Sequence, residues 1–264
     1  METIILTRDG AIVTVTLNRP KSLNALDLQL NKDLSEVTAQ LEADASVRCV
    51  VLAAAGDHFM AGGDIKAFHS GLDDPAGQRK LAFDAMLGEV HDSITRLRRL
   101  PLPVIASVRG AVAGFGFSLM SACDLVVAAD NSYFTLAYCH LGVTPDGSAT
   151  YSLPRTVGVK TAMEIALLGD RFDAARALEL GLVNRVVPLA ELEAETTKLA
   201  ARLAQGPTAV YGRTKRLINE SLNNSLAEQL QAEQENFVTS TLCPDFAEGV
   251  RAFVDKRKPK FSGR

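Results

Sequence analysis

The chain has 264 residues, 47% hydrophobic and 22% charged, which is enough to bury a sizeable core. A formal net charge of −3 offers no bulk attraction to nucleic acid or to an anionic membrane, so neither is an expected partner. No apolar run is long enough for a bilayer, METIILTRDG carries no signal-peptide pattern, and the four cysteines lack CxxC spacing. A reduced, cytoplasmic globular protein without a metal is the expectation.

Residues Ile4–Leu17 read as two strands around the Asp9-Gly10 turn, with Ile12, Thr14 and Thr16 alternating against Val13, Val15 and Leu17. Leu26, Leu30, Leu34, Val37 and Leu41 then recur every three or four residues, as in an amphipathic helix. Cys49–Ala54 is wholly apolar, as expected of a parallel strand covered on both faces. Strand, helix and strand at this spacing make a right-handed crossover unit. The stretch His69–Lys80 is polar and aperiodic, and reads as a solvated loop or as a flap over a pocket. Leu87, Val90, Ile94 and Leu97 mark a helix ending in Arg96, Arg98 and Arg99, cations that a helix C-terminus accommodates without a phosphate partner.

Pro103–Pro154 is the organising stretch. Val104–Val108 has the length and β-branched content of a buried strand; Gly110, Gly114 and Gly116 follow, and Phe117–Val127 reads as a buried helix. That layout points free N–H groups at whatever stands before the helix, and the glycines allow close approach. The loop is neither a Walker loop nor a Rossmann fingerprint, since it lacks Gly-Lys-Ser/Thr and the GxGxxG spacing. Cys123 lies in the apolar segment, and Tyr133–Ala137 is a further strand candidate. Pro145-Asp146-Gly147 then forms a turn that presents one carboxylate. Main-chain donors facing a lone acid suit an oxyanion beside a proton transfer; tight packing and a plain turn are the alternative.

The last third reads as helices over Thr161–Leu168, Ala174–Leu180, Leu189–Ala204, Ala209–Leu222, Leu226–Thr239 and Phe246–Lys256. Asp245 with Glu248 suggests a capping box opening the last of them. Val210, Leu217, Phe237, Val250 and Phe253 on their faces need something to pack against.

Leu17-Asn18-Arg19-Pro20, Leu23-Asn24-Ala25-Leu26, Phe59-Met60-Ala61-Gly62-Gly63-Asp64-Ile65, Gly110–Gly116, Ala122-Cys123-Asp124 and Leu153–Gly158 occur in one order along the chain. In that order and spacing they resemble the crotonase (enoyl-CoA hydratase/isomerase) superfamily. The resemblance implies an α/β fold, a ββα spiral over residues 1–200 with the CoA-ester site. It implies a helical trimerisation region over 201–264, and a homotrimer or hexamer. An acyl-CoA thioester is the implied substrate, with coenzyme A part of that substrate and no separate cofactor. The oxyanion donors would be the N–H groups of Gly63 and Phe115, where many relatives have glycine at the second. Asn24, Ala25, Ala61, Gly62, Asp64, Ile65 and Gly114 fall in the substrate-binding segments. Lys260, in the basic run Lys256–Phe261, falls near the expected nucleotide end of CoA; a solvated basic segment is the alternative.

The chain departs from the hydratases where their two glutamates stand, because the matching positions are Ser118 and Tyr138. Neither hydroxyl, with its high intrinsic pKa, replaces a carboxylate in activating water. Asp146 matches the catalytic acid of family isomerases with a Pro-Asp turn, such as the ring-1,2-epoxyphenylacetyl-CoA isomerase group. An acyl-CoA isomerase is therefore the leading expectation. Three alternatives stay open: a family hydratase, a non-catalytic acyl-CoA binder, and a hydrolase resembling 4-chlorobenzoyl-CoA dehalogenase. In the hydrolase, Asp146 would attack the ring, His91 would serve as base and Tyr138 would contact the acid.

Overall fold

The alternation near the N-terminus produces a hairpin whose inward face is Val13, Val15 and Leu17. Here β1 (Ile4–Asp9) pairs antiparallel with β2 (Ile12–Leu17) in a computed structural model that describes all 264 residues. Helix α1 (Leu28–Ala43) starts where Asp27 accepts the Leu30 N–H at 2.8 Å, and buries Leu30, Leu34, Val37 and Leu41. It returns the chain to β3 (Cys49–Ala54), parallel to β2. The strands β4 (Val104–Val108), β6 (Leu125–Ala129) and β9 (Arg185–Val187) extend the sheet in the order β1-β2-β3-β4-β6-β9, every pair after the first being parallel. A smaller sheet joins β5 (Ala111–Ala113), β7 (Tyr133–Thr135) and β8 (Phe172–Asp173).

Two assignments change. Phe117–Val127 is not one helix: α4 (Phe115–Ser121) stops at Ala122, and the β-branched pair Val126-Val127 belongs to β6, beside β4. Asp124 makes the break useful, because its carboxylate accepts the Val104 N–H and pairs with Lys215, both at 2.8 Å. His69–Lys80 is not one loop either. Asp64 caps the short α2 (Ile65–Ser70), and α3 (Ala76–Arg99) begins straight after Pro75. The exposed first turns of α3 need no apolar stripe, so periodicity missed them.

Helix α5 (Ala149–Leu168), kinked at Gly158, and α6 (Ala174–Glu179) close the main core. Across the other face of the sheet lies α7 (Leu192–Ala204), with Leu192, Leu199 and Ala200 against Cys49, Val51, Ile105 and Val127. A division at residue 200 would cut this helix. Then come α8 (Thr208–Ser221), α9 (Leu226–Thr241) and α10 (Pro244–Val254). The capping box belongs to α9, through Ser225 and Glu228, not to α10. Buried Asp245 instead accepts from the Ser262 N–H and hydroxyl and the Gly263 N–H, while Glu248 pairs with Arg257. Both acids therefore fold the C-terminal segment back. Leu226, Phe237, Leu242 and Phe253 stay at least 70% exposed within one chain.

Candidate active site

The segment His58–Gly63 runs beside β5, with Met60 and Ala111–Ala113 exchanging main-chain hydrogen bonds at 3.0 and 2.9 Å. The contact is so close that a Cβ on Gly116 would lie 2.5 Å from the Met60 carbonyl oxygen. One on Gly114, at φ +50°, would lie 3.3 Å from the Gly62 Cα. Glycine is required there by space and backbone together. The result sets two donors side by side, since neither the Gly63 N–H nor the Phe115 N–H donates to any protein acceptor. A Cβ on Gly62 would stand 3.8 Å from the Phe115 nitrogen, which fixes how near the two segments are.

The Phe115 ring turns into the core. It is 3% exposed and packs beneath the turn after Asp146, where a Cβ on Gly147 would meet it at 2.8 Å and Ser118 at 2.9 Å. Gly147 also has φ +58°, so the turn needs glycine twice over. This seat holds Asp146 over α4.

Asp146, Tyr138 and Ser118 converge. The Tyr138 hydroxyl donates to the Asp146 carboxylate, the Ser118 hydroxyl donates to the Asp146 carbonyl at 2.8 Å, and the two hydroxyls are 3.4 Å apart. Burial pushes the Asp146 carboxyl above its ordinary 3.8, outweighing the Tyr138 hydrogen bond and the charge of His91, which pull it down. The Tyr138 phenol is also driven up, by burial first and then by the Asp146 charge. Tyr138 is thus a hydrogen-bond donor, not a base. His91 is exposed on α3 and makes no hydrogen bond to Asp146; it reaches the acid only through its charge.

The substrate-segment residues divide. Asn24 is fully buried and staples loops: its carbonyl accepts the Arg19 N–H at 2.8 Å, and its amide donates to the carbonyls of Ala55 and His58 at 3.0 and 2.8 Å. Its side chain is consumed by the fold and is not offered to a ligand. Asp64 caps α2 and pairs with Arg19 at 3.1 Å; Arg19 also pairs with Asp27 at 2.8 Å and donates to the Ala25 carbonyl. Ala61 donates its N–H to the Leu23 carbonyl, and Ile65 is exposed at the start of α2.

Within one chain Lys260 lies toward the start of β3. Its neighbour Phe261 accepts from Arg48 at 3.2 Å, at the start of β3, whereas Gly62 and Gly63 follow from the other end of that strand. Sequence reading also missed Phe68, whose ring would lie 2.7 Å from a Cβ on Gly63 and meets Phe83 edge-on. A phenylalanine in an unpredicted helix gave no signal. No three His, Cys, Asp or Glu side chains cluster to hold a metal, and no helix is long and apolar enough to cross a membrane.

The enoyl-CoA hydratase/isomerase family model matches residues 7–264. The chain belongs to this family, the crotonases. It is 36% identical over 264 residues to the 1,2-epoxyphenylacetyl-CoA isomerase of Escherichia coli K12, covering 100% of both chains. It is 30% identical to the trans-2-decenoyl-[acyl-carrier-protein] isomerase of Streptococcus mutans, covering 99% of this chain and 98% of that one. The crystal structure of an enoyl-CoA hydratase from Polaromonas sp. JS666 superposes with a TM-score of 0.92 at 34% identity, covering 98% and 99%. This crotonase therefore has its family's α/β fold, and its relatives include both hydratases and isomerases acting on acyl thioesters.

Proposed function

We propose that this crotonase is an acyl-CoA isomerase that shifts a double bond through a thioester enolate. The observation that carries the reading is the lone, half-buried carboxylate of Asp146 at this site, hydrogen-bonded by Tyr138 where hydratases of the family keep a glutamate. Asp146 removes a proton beside the thioester and returns it two carbons along. The free N–H groups of Gly63 and Phe115 hold the enolate oxygen in between, each donor contributing roughly 3–4 kcal/mol at comparable sites. A carboxyl raised by burial is a better base than an exposed one, so the buried seat suits the task. The 1,2-epoxyphenylacetyl-CoA isomerase among the relatives supports the reading. Ala25, Ala61, Gly62, Ile65 and Gly114 line the thioester and CoA by their place in the motif, and coenzyme A enters with the substrate. A screen of 2-enoyl, 3-enoyl and aryl thioesters tests the proposal; hydration of crotonyl-CoA as fast as a two-glutamate hydratase would refute it.

The Tyr138–Asp146 contact, with His91 nearby, favours a second reading: a hydrolase resembling 4-chlorobenzoyl-CoA dehalogenase, in which Asp146 attacks the halogenated ring carbon, halide leaves, and water then cleaves the aryl ester. His91→Gln separates the two. An isomerase loses little, whereas the hydrolase accumulates an aspartyl-aryl ester visible by intact-protein mass spectrometry.

The pH profile gives a further check. Turnover needs ionised Asp146, so activity falls as pH drops through its raised pKa, and the acid limb lies above 3.8. Tyr138→Phe removes a bond that favours the carboxylate. The acid limb should therefore move to higher pH, and a limb that stays put or moves down contradicts the assignment.

The exposed faces of α8–α10 support assembly as a homotrimer or a pair of trimers. Phe253, 87% exposed, is the sharpest probe. Sedimentation should show an oligomer for the natural chain and a shift toward monomer for Phe253→Asp. A natural chain that stays monomeric at micromolar concentration would contradict the assembly.

A further inference from the structure

Between the end of α3, the start of α5 and α8 lies a cavity of about 1010 Å³ whose charge is unlike that of the whole chain. The sequence has 28 Lys and Arg against 31 Asp and Glu, yet Arg98, Arg99, Arg213, Lys215 and Arg216 line this cavity beside one carboxylate, Glu220. Lys215 is committed to Asp124 at 2.8 Å. The four arginines form no ion pair with any carboxylate.

Neutral groups orient three of them. Arg98 donates to Asn219 Oδ1 at 3.0 Å and lies over the Tyr151 ring, with 5.3 Å to its centroid. Arg216 donates to Asn236 Oδ1 at 2.8 Å, and Arg213 to the Ser240 hydroxyl at 3.4 Å. A neutral acceptor steers a guanidinium without cancelling its charge, and it leaves most of the five N–H groups free. The end of a helix accounts for Arg98 and Arg99, but Arg213 and Arg216 lie within α8 and have no such reason to be cationic.

We infer that this cavity binds a phosphorylated small molecule carrying at least two phosphate charges. Guanidinium groups take phosphate oxygens in pairs, and several unpaired arginines match a diphosphate better than a single carboxylate. The cavity is separate from the reacting centre, because Asp146, Gly63 and Phe115 do not line it. Ser148 and Tyr151 do, and they tie it to the chain just beyond Asp146. Two sources carry this chemistry, the nucleotide end of CoA and a free diphosphate.

Calorimetric titration of the full-length protein with inorganic pyrophosphate at low salt is the test. Saturable binding that weakens as salt is added is expected. Arg99→Gln with Arg216→Gln changes two exposed positions and should raise the Kd by about tenfold or more without altering the melting temperature. Arg98→Lys, which keeps the charge but loses the fork, should weaken binding as well. Displacement of pyrophosphate by CoA would assign the site to the substrate's nucleotide end; undiminished binding at saturating CoA would assign it to a separate ligand. No saturation by millimolar pyrophosphate, or an unchanged Kd in the Arg99/Arg216 double variant, overturns the inference.

Discussion

Asp146→Asn is expected to lower isomerisation of a confirmed 3-enoyl-CoA by ~10²–10⁴-fold, the usual contribution of a positioned acid–base group. Asparagine keeps the size, can accept the Tyr138 hydroxyl, and leaves the Ser118 bond to the residue 146 carbonyl untouched. Ligand affinity should therefore persist while turnover falls. Stability gives a second, opposite readout. The folded-state pKa of Asp146 is raised, so its contribution to stability is full below the unfolded value and is lost as pH rises through the folded one. Above that folded-state pKa the ionised carboxylate is a burden on the fold, and there Asp146→Asn should melt no lower than the natural chain. A turn residue without chemistry would behave differently: its replacement would leave turnover intact.

Asn24→Ala is expected to cause the largest loss of stability among the residues that resemblance places at the substrate. Three main-chain groups lose their partner: the Arg19 N–H and the carbonyls of Ala55 and His58. Each orphaned buried group costs roughly 1–3 kcal/mol. Alanine must also adopt the left-handed φ of +55°, at a further cost of about 1–2 kcal/mol. A fall of several kcal/mol should lower the melting temperature by about 2–4 °C per kcal/mol in a chain of this size. Activity should fall with it, because Asn24 anchors the His58 carbonyl just before the segment that carries Gly63. Unchanged melting with weaker substrate binding would instead make Asn24 a ligand contact.

What the sequence disclosed depended on whether one residue type or a three-dimensional path set the outcome. Gly62, Gly114 and Gly116 were legible because backbone meets backbone there, and only glycine fits. Asp146 was legible from its Pro-Asp-Gly turn. The direction of the Phe115 ring was not, because the space beneath Gly147 exists only once α4 and the turn are packed. The contact of Tyr138 with Asp146 was legible only through the resemblance, because it needs the tight turn Tyr138–Leu141, entered through Ala137 at φ +43°. Polar first turns hid α3, and the apolar residues on both sides of Asp124 hid the break between α4 and β6. Asp245 and Glu248 had the spacing of a cap, but long-range bonds to the C-terminal segment claimed both.

The most direct test of a one-carboxylate isomerase is incubation of the natural protein with a 3-enoyl-CoA in D₂O, followed by mass spectrometry of the thioester products. Proton removal at the carbon beside the thioester and return two carbons along predict a 2-enoyl-CoA that carries deuterium at that distal carbon, C4, with little or no 3-hydroxyacyl-CoA. Abundant 3-hydroxyacyl-CoA, formed from the 2-enoyl isomer at the rate of a two-glutamate hydratase, would contradict the account.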